Sequence, residues 1–512
     1  MNFPDTTAAD TDRPVPSGPM TGSAVRGLSW SLVGALGQSI LQFVSIVVLS
    51  RVLSIEEFGT AAAATVVAGL AVMLGQQGIG SAIVQARELR RADVATAFCM
   101  SAAIGVVLAA LLLLASPLLA QAVGLPAGSP YLPMLSIVLV LGGLSGVAMG
   151  LLQRQLRFRD LGLMELTSYG VGYLGTSVTL AFAGAGAMSL IWGQIAQALM
   201  TLVGAYALVR HPVRPGSLAE ARRSGRRILG FSSAYSLAQV GNWVGLNGDN
   251  LVVTSVLGPT SLALYSRAYQ LLVQPANLIG TVADKVLFPS LSRIQDDRER
   301  LGRAYVLAGS LVAVLTMPAS VLLFVLAPEI VTILLGDAWS AVALPLQIFA
   351  VVLMPRTAYK ISGSLTRATG AVLGGAWRQW LYAAEVTVGC LVGSHWGLPG
   401  VAAGASVAIV LHFFTMLAFS ARISRGLAGR ALRAYAKSLP LALATAACAL
   451  PVATSLRGSA NEVVVALVTA AAGAAAALVT LTIGRRYFRD EFSVWSAARS
   501  RPTRTSVTPS VG

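Results

Sequence analysis

Apolar residues along this chain come in blocks of about twenty, separated by short polar segments. A helix needs about 20 apolar residues to cross the ~30 Å hydrocarbon core of a bilayer. That criterion predicts spans near 28–53, 59–84, 94–121, 131–152, 163–183, 187–209, 229–257, 261–283, 304–327, 341–364, 378–395, 398–420, 436–455 and 461–484. The stretches 76–84 and 329–340 are open to an interfacial reading instead. The expected fold class is an all-α polytopic membrane protein of about fourteen transmembrane helices.

Composition agrees with hydrocarbon as the solvent. Of 512 residues 55% are apolar and 11% charged, and mean hydropathy is +0.72. A water-soluble domain carries roughly 25% charged residues, and a charge at mid-bilayer costs ~2.5–3.5 kcal/mol on insertion scales. The net charge of +16 would suggest nucleic acid in a soluble protein, but here it raises the question of sidedness, and no nucleic-acid partner is expected. Alternate segments, beginning with the amino terminus, hold 32 of the 37 Lys and Arg. The opposite loops hold only Arg51 and Arg457, both near helix ends. By the positive-inside rule both termini are cytoplasmic. Residues 1–27 contain Asp5, Asp10 and Asp12 and no apolar core, so the first span must itself target the chain.

An internal repeat organises the spans. Val48–Thr60, VLSRVLSIEEFGT, aligns with Val252–Leu264, VVTSVLGPTSLAL, at an offset of 204. Leu132-Pro133 recurs as Leu344-Pro345, Arg154 as Arg367, and GAMSLIWG (186–193) as GLPGVAAG (397–404). Six spans separate the copies, so both point the same way through the membrane. Parallel repeats of this kind are a known transporter plan. The expected domains are a disordered cytoplasmic tail 1–27, an amino-terminal lobe 28–209 with helices one to six and a cytoplasmic linker 210–228. A carboxy-terminal lobe 229–420 with helices seven to twelve follows, then a cytoplasmic loop 421–435, an added helix pair 436–484 and a disordered tail 485–512.

Several segments carry a family resemblance: SRVLSIEEFG (50–59), LLQRQLRF (151–158), GAGAMSLIWGQ (184–194), GDNLVVTSVLG (248–258), ALYSRAYQL (263–271), LFPSLSRIQDDRERLGRAY (287–305) and LLGDAW (334–339). Together they resemble the Wzx-type polysaccharide flippases of the multidrug/oligosaccharidyl-lipid/polysaccharide exporter superfamily, in the branch associated with exopolysaccharide export. The resemblance runs from about residue 25 to 425. It implies two lobes around a cavity in a bacterial inner-membrane protein. It also implies transport of an undecaprenyl-diphosphate-linked oligosaccharide from the cytoplasmic to the periplasmic leaflet, alongside glycosyltransferases and a polymerase. The chain departs from the pattern at Ile55, where the family often has Pro before the acidic pair, and at Leu246-Asn247-Gly248 ahead of Asp249.

Polar residues inside spans mark the candidate site, because such residues face a bundle interior or a hydrated cavity. Arg356 and Lys360 lie four apart on helix ten and share a face; Arg367 follows about two turns later. With Arg267 from helix eight they form a candidate binding set for a lipid diphosphate, which guanidinium matches with paired donors. Gln76 and Gln194 are candidate sugar-binding residues, and Gln77, Gln153 and Gln197 could serve alike. Asp249 and Glu385 are candidate ion-coupling groups. A competing structural reading pairs Asp249 with Arg267 and Arg356 with Glu385, and Glu165 is open to the same choice. Glu56 and Glu57 are expected to shape the turn after helix one. Cys99, Cys390 and Cys448, and His211, His395 and His412, show no ligand or catalytic spacing, so no metal, cofactor or catalytic residue is expected. No GxxxxGK[ST] is present, which excludes that route to ATP. A multidrug or peptidoglycan-precursor exporter of the same superfamily is the nearest alternative. A membrane-embedded polysaccharide polymerase or ligase is the other class, and short outward loops with two Arg count against it.

Overall fold

The structure, a computed structural model, describes residues 22–86, 89–213, 218–292, 294–369, 372–422 and 426–489. Among these residues every regular element is a helix. In chain order they are α1 (Gly22–Val52), α2 (Ile55–Gln85), α3 (Arg91–Ala122), α4 (Tyr131–Arg154), α5 (Phe158–Thr167), a π-helical stretch (Ser168–Gly175), α6 (Thr176–Phe182) and α7 (Met188–Leu208). There follow α8 (Leu218–Ser292), α9 (Arg298–Val325), α10 (Ala327–Leu335), a 3-10 turn (Asp337–Val342), α11 (Ala343–Ala350), α12 (Leu353–Ala368) and α13 (Val372–Gly393). The last elements are α14 (Gly397–Ala421), α15 (Leu427–Ala436), α16 (Leu439–Leu456) and α17 (Glu462–Ile483).

α8 is two helices, 218–257 and 259–292, because Gly258 breaks it with φ 84° and ψ 173°. Trp377–Ala421 likewise contains two expected spans, which part at Gly397. Asp337–Ala350 and Leu353–Ala368 together are long and apolar enough to cross a membrane, and they meet at a bend of 53°. Taken with the α5–π–α6 rod, the described residues carry fourteen helical rods in the expected order. Their outer faces are apolar: Leu114 is 80% and Ile483 82% exposed. In water each such side chain would forgo about 1.5–3 kcal/mol; in hydrocarbon it forgoes nothing.

Boundaries differ from expectation where local chemistry intervenes. α1 begins at Gly22, and the 421–435 segment contains α15. Leu427, Ala431 and Tyr435 of α15 are buried one turn apart, so this short helix lies on its neighbours and is too short to span. The stretch 329–340, open to an interfacial reading, holds the short α10 and a 3-10 turn. Residues 1–21 and 490–512 lie outside the described residues.

The repeat register reappears in the backbone. The α1–α2 break at Leu53-Ser54 and the α8 break at Leu257-Gly258 lie 204 residues apart. The aligned Gly186 and Gly397 both adopt positive φ, 53° and 67°, before a helix start.

The helices group into two compact units. The first takes in described residues up to Gln270 with Leu334–Val342 and Gln379–Ala405. Its core joins α2, α3, α4 and α7 through Ile79, Ile83, Ala97, Val147, Leu152 and Ala205. Helices α3 and α4 cross at Gly105 and Gly143, where a Cβ on Gly143 would stand 2.6 Å from the Ser101 carbonyl. Such close approach is how membrane helices associate without a hydrophobic driving force. Ser101 Oγ also donates to the Gly143 carbonyl at 2.7 Å.

The second unit takes in Leu271–Ile333, Ala343–Arg378 and the described residues from Ser406 onward. Its core packs α9 and α12 with α14 and α15 through Tyr305, Val312, Ile361, Leu365, Leu417 and Tyr435. The Tyr305 and Ser362 hydroxyls lie 2.8 Å apart and share a hydrogen bond. Asp297 caps α9, accepting from the amides of Glu299 and Arg300 at 3.1 and 2.9 Å, as the position before a helix favours.

Candidate functional site

In the first unit, polar side chains converge on a cavity of about 490 Å³. α4 presents Gly142, Gly146 and Gly150, one per turn, so its wall there is bare backbone. Helix α2 comes in against this face, with Gly80 so near that a Cβ on Gly150 would lie 2.8 Å from its carbonyl. α5 supplies Glu165 and the π-helical stretch supplies Ser168. π turns concentrate at functional sites because they widen and re-aim the helix. Gly172 in that stretch lets α7 approach; a Cβ there would stand 2.8 Å from the Cα of Gln197. Gln194 and Gln197 of α7, Gln153 of α4 and Gln38 of α1 complete the polar wall. The Gln194 amide is held in place by donating to the Thr65 hydroxyl at 2.9 Å.

Of the residues expected from sequence, Gln153, Gln194, Gln197 and Glu165 thus come together. Gln76 lies on α2, but its side chain is outside the described residues. Gln38, Ser145, Ser168 and Thr201 also line the cavity, and sequence reasoning passed over them. Gln38, a lone amide in an apolar block, and the GxxxGxxxG spacing of α4 were the available signals.

Asp249, Arg267 and Glu385 also belong to the first unit. Asp249 is 3% exposed; Tyr265 Oη donates to its Oδ2 at 2.9 Å and the Asn250 amide to its Oδ1 at 2.8 Å. Arg267 is equally buried and sits over Phe58, its Cζ 3.8 Å from the ring centroid. Its Nη1 donates to Gln270 Oε1 at 2.9 Å, while Nε is buried without a hydrogen-bond partner. Trp339 packs edge-on against Phe58 and donates its indole N–H to the Ser50 carbonyl at 2.7 Å. Glu385 on α13 has a buried Oε2 with no hydrogen-bond partner. Helix 218–257 receives α13 closely, since a Cβ on Gly248 would lie 3.0 Å from Thr387 Oγ1.

The second unit holds Arg356, Lys360 and Arg367 on α12, just after the 53° bend. At 100° per residue the three Cα atoms fall within about 40° of one another, over a rise of about 16 Å. Arg356 is buried, Lys360 half-buried and Arg367 exposed. Lys360 Nζ donates to Asn277 Oδ1 at 2.7 Å. Tyr359 stacks edge-on with His412, centroids 4.9 Å apart. The cations therefore form a graded row along one helix face. Among the described residues no group of three His, Cys, Asp or Glu is placed to hold a metal ion.

Other charged motifs are structural. Ser54 and Glu57 close a capping box on α2: Glu57 Oε2 accepts from the Ser54 amide at 2.9 Å, and Ser54 Oγ accepts from the Glu57 amide at 3.2 Å. In LLQRQLRF, Arg154 Nη1 donates to the Ile83 and Ala86 carbonyls at the end of α2, and Arg157 Nη1 to the Leu208 carbonyl ending α7. Cations suit helix carboxyl ends, where carbonyls lack intrahelical donors.

With this geometry in place, comparison with known proteins adds a lineage. A family model described as "Polysaccharide biosynthesis protein" matches residues 48–344. The lipopolysaccharide biosynthesis protein WzxC of Escherichia coli (strain K12) is 26% identical over 351 residues, 68% of this chain and 70% of that one. The succinoglycan biosynthesis transport protein ExoT of Rhizobium meliloti (strain 1021) is 29% identical over 319 residues, 62% and 64% of the two chains. Among solved structures, the lipid II flippase MurJ in an inward closed conformation superposes with a TM-score of 0.71 at 15% identity, over 90% of this chain and 99% of that one. An inward-facing multidrug resistance MATE family transporter of the MOP superfamily gives 0.59 at 16% identity, over 75% and 94%. At these identities the structural likeness concerns the fold alone.

Proposed function

Because the chain belongs to the polysaccharide biosynthesis protein family, whose model matches residues 48–344, we propose that it transports a lipid-linked polysaccharide precursor across the bilayer. In the finer reading the cargo is an undecaprenyl-diphosphate-linked oligosaccharide, moved from the cytoplasmic to the periplasmic leaflet of a bacterial inner membrane by alternating access. Glycosyltransferases would supply it and a polymerase consume it. The repeat, with lobes at 28–209 and 229–420, supports a rocking mechanism. A relative named as a transport protein supports transport over catalysis.

One observation carries this reading: the row of Arg356, Lys360 and Arg367 along a single face of the bent tenth span. A diphosphate must cross a region that repels it, and fixed cations replace the water it loses. Grading from buried to exposed lets the charge be handed along without a trap, since a site that binds too tightly cannot release its cargo. Gln194 and its neighbours would meet sugar hydroxyls, Arg267 would add a buried cation, and Asp249 with Glu385 would couple the cycle to an ion.

Deleting the gene should leave lipid-linked glycan on the cytoplasmic leaflet, sealed from a periplasmic glycosidase, and abolish polymer. Re-expression should restore both. A deletion strain that still exposes the glycan outside would refute the transport reading.

A further inference from the structure

The cavity of the first unit has a chemical character of its own. Its polar wall is built from four carboxamides, Gln38, Gln153, Gln194 and Gln197, together with the Glu165 carboxyl and the Ser168 hydroxyl. Each carboxamide presents one acceptor oxygen and an NH₂ with two donors. Neighbouring hydroxyls on a sugar ring present the complementary set, each both donor and acceptor. Among the described lining residues there is no Lys, Arg or His. Arg154, next in sequence to Gln153, is turned onto the carbonyls that end α2. A sugar carboxylate entering here would meet Glu165, with no cation among the described lining residues to offset it.

We propose that this cavity is the sugar pocket of the transporter, and that it takes uncharged sugars while turning away acidic ones. The inference rests on the transport reading above and adds the class of glycan. Its volume of about 490 Å³ lies within the ~300–1,000 Å³ common to small-ligand sites, enough for a short stretch of glycan. A pocket for a lipophilic cation would instead be lined with aromatic faces, and the described lining contains none. Without an aromatic platform affinity stays modest, which suits cargo that must leave. Rejection of acidic sugars follows from Glu165, because specificity is gained by an unpaired charge set against the wrong ligand.

The test uses the full chain in lipid nanodiscs with Cys99, Cys390 and Cys448 changed to Ser and a single reporter, Thr201→Cys, in the cavity wall. Two soluble trisaccharides are compared, alike except that one carries glucuronate in place of glucose. The neutral probe should slow maleimide labelling of the reporter, and the glucuronate probe should need a concentration about tenfold higher, roughly one uncompensated charge. Glu165→Gln should bring the two probes close to equal without loss of the neutral one. Gln194→Leu, and separately Gln197→Leu, should weaken neutral protection about tenfold in protein that still elutes as a single folded species. Equal protection by both probes in the parent, none by the neutral probe, or an unchanged preference in Glu165→Gln would each overturn the inference. Protection as expected in a protein that flips no lipid-linked glycan would instead count against the transport reading alone.

Discussion

Arg457 and Glu329 meet in a two-point ion pair, Nε donating to Oε1 at 2.7 Å and Nη2 to Oε2 at 3.1 Å. Nη2 also donates to the Val325 carbonyl at 2.7 Å. One contact thus fastens the α16–α17 turn to the corner between α9 and α10. Arg457→Ala leaves a carboxylate whose side chain is only 5% exposed without its donors, so unfolding stability in detergent should fall by about 1.5–3 kcal/mol. Transport should survive, and the exchange Glu329→Arg with Arg457→Glu should recover part of the loss. The hydrogen bonds that Arg457 donates to Glu329 hold the Arg457 pKa above its already high ordinary value. A raised folded pKa gives stability that is fully present below the unfolded pKa and is lost only as pH rises past it. Thermal unfolding should therefore show no dependence on Arg457 titration between about pH 6 and 9.

Asp249 is set for a different experiment. Asp249→Asn keeps shape and hydrogen-bonding capacity but removes the charge, so ion-dependent flux should vanish at unchanged protein abundance. Tyr265→Phe removes the hydroxyl bonded to the carboxylate and should cost about 1.5–3 kcal/mol in stability. Wild-type flux in Asp249→Asn would remove this carboxylate from the mechanism.

The α12 row predicts a gradient. Losing Arg356, buried at the head of the row, should reduce flipping most, by about a hundredfold if two charge-assisted bonds of ~1.4 kcal/mol each are lost. Arg367→Gln, at the exposed end, should cost about tenfold or less. Arg356→Lys should rescue poorly, because an ammonium lacks the planar fork that fits a diphosphate. Initial rates in vesicles decide it, and equal effects at all three positions would contradict a graded path.

Sidedness is checked by labelling. Single cysteines at Ser217 and Ser459 should react with an impermeant maleimide from opposite faces, Ser459 from outside. Labelling of both from outside would overturn the cytoplasmic placement of the termini.

The fold was largely legible because two independent signals agreed, the length of apolar blocks and the confinement of 32 basic residues to alternate segments. Even the breaks at Ser54 and Gly258 were foreshadowed by the repeat. α15 was not, since its apolar residues recur once per turn among arginines and fall short of a span. The π-helical stretch has no marker residue; its SYGVGYLG would sit as well in a regular helix. In the cavity Gln153, Gln194, Gln197 and Glu165 stood out in apolar blocks, whereas Gln38, Ser145, Ser168 and Thr201 did not. Hydroxyls within helices commonly donate to a carbonyl of the preceding turn, as Thr445 does to Leu441 at 2.8 Å, so their type alone says little about a cavity.

The central claim is tested most directly with purified protein in sealed vesicles containing an undecaprenyl-diphosphate-linked oligosaccharide confined to the inner leaflet. The readout is the fraction of glycan that an external glycosidase can reach over time. Vesicles with the wild-type chain should expose it many times faster than protein-free vesicles, and those with Arg356→Gln should remain near the protein-free rate. Wild-type vesicles that expose the glycan no faster than empty ones would contradict the account.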